Sequence, residues 1–200
     1  TEKYDRELQN DCQRMAVAKP NERILTHISN FRPVKRIKDV IKVFYKVQQE
    51  LPSKLLMVGE GPEKRNAELQ VKKLGIEDKV IFLGNSNEIS KILCYTDVFL
   101  LPSESESFGL AALEAMAAST AVISTNTGGL PEVNIHGKTG YLSNLGDCDN
   151  MSLNAISILK DDEILANFKK AAKEHTKKFC LDNILPIYVD VYNAALNKIH

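Results

Sequence analysis

Short runs that are apolar at nearly every position alternate along this chain with longer stretches whose apolar residues recur every three or four. The runs are ILTHIS (24–29), LLMVG (55–59), VIFLG (80–84), DVFLL (97–101) and AVIST (121–125), with a last short one in TGYLS (139–143). Continuous rather than alternating apolar runs suit strands covered on both faces, as in a parallel sheet. Between them, IKDVIKVFYKVQQ (37–49) sets Ile37, Val40, Ile41, Phe44 and Val47 on one side of a helix. The next helix is expected to end at Gly75, a residue suited to a C-terminal cap. A short helix over 87–95 and an Ala-rich one over 109–118 separate the later strands, and helical stretches follow at 148–160, 162–178 and 183–199. Residues 2–18 carry a weaker helical pattern on Tyr4, Leu8 and Met15, closed by KPNE at 19–22. Repeated strand–helix–strand units with short links predict an α/β fold, a doubly wound and mostly parallel sheet followed by C-terminal helices. No composition break divides it, so 1–22 reads as a leading helix and linker and 23–200 as one domain.

Composition narrows the function classes. The chain is 44% apolar and 26% charged, which suits a soluble globular protein. Lys plus Arg and Asp plus Glu number 26 each, so no bulk charge points to nucleic acid or a membrane surface. No apolar run approaches the length of a membrane span. Cys12, Cys94, Cys148 and Cys180 are scattered without a C-x-x-C pair, which fits reduced cytoplasmic thiols better than a disulfide framework or a zinc site. The chain has no signal-peptide pattern. It opens TEKYDRE without an initiator Met, as a piece of a longer protein would.

In such sheets ligands bind beyond the carboxyl ends of the strands, which directs attention to the loops after Ser29, Gly59, Gly84, Pro102 and Thr125. The first, NFRPVKR, carries Arg32, Lys35 and Arg36 just before a helix: a solvated basic turn, or cations facing a diphosphate. The second, GEGPEK, either brings backbone close to a ligand or turns the chain. It is not the dinucleotide fingerprint, since G-x-G-x-x-G would need glycine where Lys64 stands. The loop TNTGGLPEV either lines the same cleft or is an ordinary strand-to-helix turn.

The loop PSESESFG leads into the Ala-rich helix, whose free amides near Phe108, Gly109 and Leu110 form an anion site suited to phosphate. From Phe108 to Ala118 every residue but Glu114 is apolar or glycine, so the helix is expected to be buried and Glu114 to need a partner. A ligand diol is one such partner. A cation such as Lys35 or Arg32 is another, and solvent a third. Glu106, eight residues earlier, is free to meet a different part of the same ligand, with Glu104 as its competitor.

The segment VFLLPSESESFGLAALEAMA contains E-x7-E from Glu106 to Glu114. With GEGPEK, TNTGGLPEV and HGKTGYL in this order, it resembles the C-terminal, donor-binding domain of the retaining glycosyltransferases of the GT-B fold, built from two Rossmann-like domains. Within that family the motifs look most like the N-acetylglucosaminyl L-malate synthases of bacillithiol biosynthesis. The resemblance implies that Glu114 binds ribose hydroxyls, that Glu106 contacts the transferred sugar, and that Lys35 holds the diphosphate, with Arg32 close enough to substitute for an arginine that many relatives carry five residues before that lysine. It assigns further donor contacts to Asn30, Gly59, Asn85, Ser107, Phe108, Gly109 and Leu110, with uracil near Gly84 and Asn85. Asn30 stands where many relatives carry arginine. The implied donor is UDP-GlcNAc, with no cofactor and no required metal. An N-terminal domain would supply the acceptor contacts and would normally cover the last helix, so the isolated chain is expected to be inactive and its exposed helix to favour a homo-oligomer.

Two other features invite metal or acid–base readings. The D-C-D at 147–149 matches a metal-binding pattern of a different glycosyltransferase fold, but its place before a helix suits a cap. His27 is expected in the core, His136 in a turn, and His175 and His200 on the surface, none with a ligand-spaced partner.

Overall fold

The computed structural model describes residues 10–196. A helix α1 (Asn10–Val17) leads into β1 (Arg23–Ile28), and strands then alternate with helices: α2 (Ile37–Glu50), β2 (Ser53–Val58), α3 (Lys64–Leu74), β3 (Val80–Gly84), α4 (Ile89–Cys94), β4 (Val98–Leu101), α5 (Leu110–Ala117), β5 (Ala121–Thr125), α6 (Leu130–Val133) and β6 (Gly140–Ser143). Three helices close the chain: α7 (Cys148–Leu159), α8 (Asp162–Thr176) and α9 (Leu181–Leu196). The six strands form one sheet in the order β3-β2-β1-β4-β5-β6. Every pairing is parallel. The direction of strand succession reverses between β1 and β4, and at such a point the loops above two neighbouring strands part to leave a crevice.

The continuous apolar runs are explained by burial on both faces. Leu25, Leu55, Met57, Val98, Leu100 and Ile123 pack against α2 and α7, with Phe44, Val47 and Ile158 in the same cluster. Their alternates face the other way: Phe99, Leu101 and Val122 meet Ala112, Ala115 and Met116 of α5 and Ala172 of α8. Ile24, Leu56 and Val58 meet Ile92 and Tyr95. The small side chains of Ala112 and Ala115, fully buried, let α5 lie close on the sheet.

Helix ends follow the expected chemistry in most places. Gly75 caps α3 at φ 65°, in the left-handed region. Asp161 accepts from the amides of Glu163 and Ile164 at 2.8 and 2.9 Å and so starts α8. Asp147 accepts from the Asn150 amide at 3.0 Å, which makes it the cap of α7, while Asp149 pairs with Lys46. The D-C-D is therefore a helix start. Cys94, Cys148 and Cys180 form no disulfide.

Two expectations change. His175 is buried rather than exposed: it lies on the inner side of α8 with 9% exposure, its ring edge-on to Phe179 at 5.5 Å. The predicted helix 183–199 starts earlier, at Leu181, and its positions beyond 196 lie outside the described residues, as do His200 and most of the leading pattern over 2–18. Its described residues bury nothing: Leu185, Ile187, Tyr188, Val191 and Tyr192 are all exposed. No described helix is long and apolar enough to cross a membrane.

Candidate functional site

The loop after β1 is held in an unusual path. Phe31 takes a left-handed φ of 39° with its side chain fully buried. A 3-10 turn over Pro33–Lys35 follows, and Arg36, again left-handed at φ 52°, starts α2. The neighbouring GEGPEK loop fixes this path from the side. A Cβ at Gly59 would lie 1.8 Å from the Ser29 carbonyl oxygen, and one at Gly61 would lie 2.0 Å from that of Asn30. These glycines thus serve approach of backbone to backbone. The Glu63 amide donates to the Phe31 carbonyl at 2.9 Å.

The loop after β4 comes to meet the first. The Glu104 amide donates to the Val34 carbonyl at 2.8 Å, and one turn on, Lys35 and Glu106 form an ion pair through Glu106 Oε1. Their side chains are only 21% and 14% exposed. Ser103 Oγ donates to the same oxygen at 3.3 Å, which leaves Oε2 without a partner among the described residues. The geometry selects Glu106 over Glu104, whose side chain is exposed. It also separates the basic residues. Lys35 enters the site, Arg36 is engaged by Asp39 at 2.5 Å, and Arg32 is exposed with no ion pair among the described residues.

The third loop, TNTGGLPEV, buttresses the second. A Cβ at Gly128 would sit 1.8 Å from the Glu106 carbonyl oxygen, and Gly128 has φ 55°. The Gly129 amide donates to that carbonyl at 3.0 Å. Thr125 and Thr127 donate to the Ser103 carbonyl at 2.6 and 3.3 Å. The glycine pair was visible in the sequence, but its use as a backing for Glu106 was not.

Helix α5 starts at Gly109, left-handed at φ 93°, with no side chain capping its first turn. Gly109 has an internal requirement, since a Cβ there would lie 2.8 Å from Leu130. Nor is the helix buried all round. Leu110 is 66% exposed, and Glu114, one turn later on the same side, is also exposed, its carboxylate without a hydrogen bond or ion pair to any described residue. The premise that Glu114 is buried fails, and of the three partners left open for it the ion pair to Lys35 or Arg32 is not formed. Ser107 is exposed and Phe108 half-buried, its ring edge-on to Phe179 at 5.8 Å.

Beside these loops a cleft of about 410 Å³ opens above β1, β2 and β3, lined by Ser29, Asn30, Gly59, Glu60, Asn85 and Ser86 among others. Beneath it His27 is fully buried, its Nδ1 2.8 Å from the Leu100 carbonyl and its Nε2 2.8 Å from Ser29 Oγ. Burial pulls its pKa down from 6.5 to about 4; the Leu100 carbonyl opposes this and Lys35 adds to it. In the unfolded chain the imidazole takes up its proton near pH 6.5, before the folded one does. Stability from this residue is therefore complete above pH 6.5 and is lost as pH falls toward 4. The His27 ring carbons should keep constant NMR shifts from pH 8 to 5 while the unfolding midpoint falls below pH 6.5. Among the described residues no cluster of three His, Cys, Asp or Glu could hold a metal.

Comparison with known proteins places this geometry. The chain is 46% identical over 177 residues to the N-acetyl-alpha-D-glucosaminyl L-malate synthase of Bacillus anthracis, covering 88% of this chain and 46% of that one. TarM of S. aureus, in a mutant complexed with Fondaparinux, alpha-GlcNAc-glycerol and UDP, superposes with a TM-score of 0.80 at 25% identity, over 86% of this chain and 36% of that one. The sucrose-phosphate synthase of Thermosynechococcus elongatus superposes with a TM-score of 0.81 at 26% identity, over 94% and 49%. The chain thus spans half or less of each of these relatives, and its Rossmann-like sheet is that of GT-B glycosyltransferases. With the family model described as glycosyl transferases group 1 matching residues 11–175, the chain belongs to that family.

Proposed function

We propose that this chain is the donor-binding part of a retaining glycosyltransferase that moves N-acetylglucosamine from its uridine diphosphate donor to L-malate. One observation carries the reading: Lys35 and Glu106, 71 residues apart, meet where the loops above β1 and β4 part, next to the uncapped start of α5. The 46% identity to a named N-acetylglucosaminyl L-malate synthase supports the choice of sugar and acceptor.

In this reading the diphosphate rests between the Lys35 ammonium and the amides of Phe108 to Leu110. An ammonium has three protons to donate, so Lys35 can hold Glu106 and a phosphate oxygen together. Glu106 Oε2 then accepts from a sugar hydroxyl, Glu114 accepts from the ribose hydroxyls, and the base enters the cleft beside Gly59 and Asn85. Asn30 and Ser107 line the same path, and Arg32 swings in from solvent toward the phosphates. As the glycosidic bond breaks, negative charge grows on the departing diphosphate, and donors already in place stabilise it without reorganising. The acceptor hydroxyl bonds to the anomeric carbon with retention, and its proton passes to the departing diphosphate. A second domain supplies its contacts and covers the exposed face of α9. Without that domain the chain binds donor weakly, turns over nothing measurable, and self-associates through α9.

Calorimetric titration with uridine, adenosine and guanosine diphosphate sugars tests the reading. UDP-GlcNAc is expected to bind at least 10-fold more tightly than the purine donors. Equal affinity for all three, or no heat from any, would remove the donor-binding assignment.

A further inference from the structure

The pairing of β1 with β4 is short. It runs through Leu25↔Val98 and Thr26↔Phe99 and stops, whereas β1 with β2 continues to Ile28↔Val58. The next pair in register would be His27 and Leu100. There the backbone ladder ends, and the His27 imidazole makes the bridge to the Leu100 carbonyl instead, at 2.8 Å.

The direction of each bond follows from chemistry. A carbonyl only accepts, so Nδ1 carries the proton. With the ring neutral, Nε2 is a lone pair and Ser29 Oγ donates to it at 2.8 Å. Ser29 Oγ in turn accepts the Phe31 amide at 3.2 Å. The ring is also clamped by side chains, with Phe31 at 6.2 Å and Phe99 at 6.5 Å between ring centres. One end of this relay fixes the left-handed turn at Phe31, four residues before Lys35. The other end fixes β4 at Leu100, three residues before Ser103 and six before Glu106.

We propose that His27 is a positioning residue that sets the Lys35–Glu106 pair by tying the two loops together where their strands separate. Its relevance to donor binding rests on the function proposed above. A residue that merely filled the space would need neither ring nitrogen. Replacing it by an apolar ring of similar size would orphan the Leu100 carbonyl and the Ser29 hydroxyl together.

The test is a double-mutant cycle read with UDP on this chain. His27→Phe is expected to weaken UDP binding about 10-fold, Lys35→Ala by more, and the pair by no more than about 2-fold beyond Lys35→Ala alone. Unchanged UDP affinity in His27→Phe would overturn the proposal. So would the same fold-loss in both backgrounds, which is the mark of general damage to the fold. If His27→Phe does not fold, Ser29→Ala breaks the relay at an exposed-side atom and should give the same coupling. A chain that binds no UDP defeats the function reading and leaves this one testable by the 13C shift of the Glu106 carboxylate at neutral pH. His27→Phe should move that shift in the direction Lys35→Ala does, and an unmoved resonance would end the positioning role.

Discussion

Lys35→Ala is expected to lower the proposed sugar transfer, measured in the full-length protein, by about 10²–10³-fold, equivalent to about 2.7–4 kcal/mol of transition-state stabilisation. The size follows from where the ammonium sits. Its side chain is four-fifths shielded from solvent, where a charge acts through a lower effective dielectric than water offers. It is held there before substrate arrives, by Glu106 and by the backbone bond from Glu104 to Val34. Removing it takes a cation from the crevice where the proposed diphosphate sits and leaves the Glu106 carboxylate unneutralised in the same place, so repulsion adds to the loss. The effect should appear mainly in kcat, because in the proposed reaction charge on the diphosphate grows as the bond breaks. Glu104→Ala provides the contrast, since that carboxylate is exposed and its contribution to the site is a backbone amide that alanine keeps. Steady-state kinetics with both variants checks the claim, and equal small losses would refute it.

The strands were legible because burial on both faces writes itself as an unbroken apolar run. AVIST (121–125) matches β5 at both ends, and VIFLG (80–84) matches β3. Ser29, Gly59, Asp97 and Thr139 drop off the ends of their runs, and other ends grow where polar residues continue a ladder. Ser53 and Lys54 begin β2 two residues before its apolar part, because their backbone pairs with Arg23 and Ile24 whatever their side chains are. Gly75 and Asp147 were legible as caps because a terminus imposes a local requirement that one residue type meets.

Glu114 and His175 show what local pattern cannot carry. An Ala-rich helix reads as apolar on every side, yet burial depends on what lies opposite. Ala112, Ala115 and Met116 face the sheet, while Leu110 and Glu114 face solvent. His175 has charged neighbours in sequence, Lys173, Glu174 and Lys177, but its own ring turns inward to Phe179. The tie between Lys35 and Glu106 belongs to the same class. Each residue stands in a loop that the alternation of strands and helices points to, but their meeting depends on strand order, with β4 beside β1. The motif order carried the family; the strand order carried the contact.

Glu114→Ala is expected to weaken UDP binding by about 10–100-fold, the range of about 1.5–3 kcal/mol for hydrogen bonds to a charged group, without loss of fold stability. The two halves of this prediction have separate causes. Glu114 is exposed and its carboxylate bonds to no described residue, so truncating it orphans nothing in the protein. Alanine is also the better helix former at that position, and the melting temperature should hold or rise slightly. The affinity loss requires a partner from outside the chain, and the proposed partner is the pair of ribose hydroxyls. A ligand-side variant isolates it. The 2′,3′-dideoxy analogue of UDP should bind the unmodified chain about as weakly as UDP binds Glu114→Ala, and the substitution should then make little further difference. Glu114→Gln, which keeps an acceptor but not the charge, should fall between. The opposite pattern, a drop in melting temperature with UDP affinity intact, would make Glu114 a structural residue of α5 and detach the second carboxylate of the E-x7-E pair from nucleotide recognition.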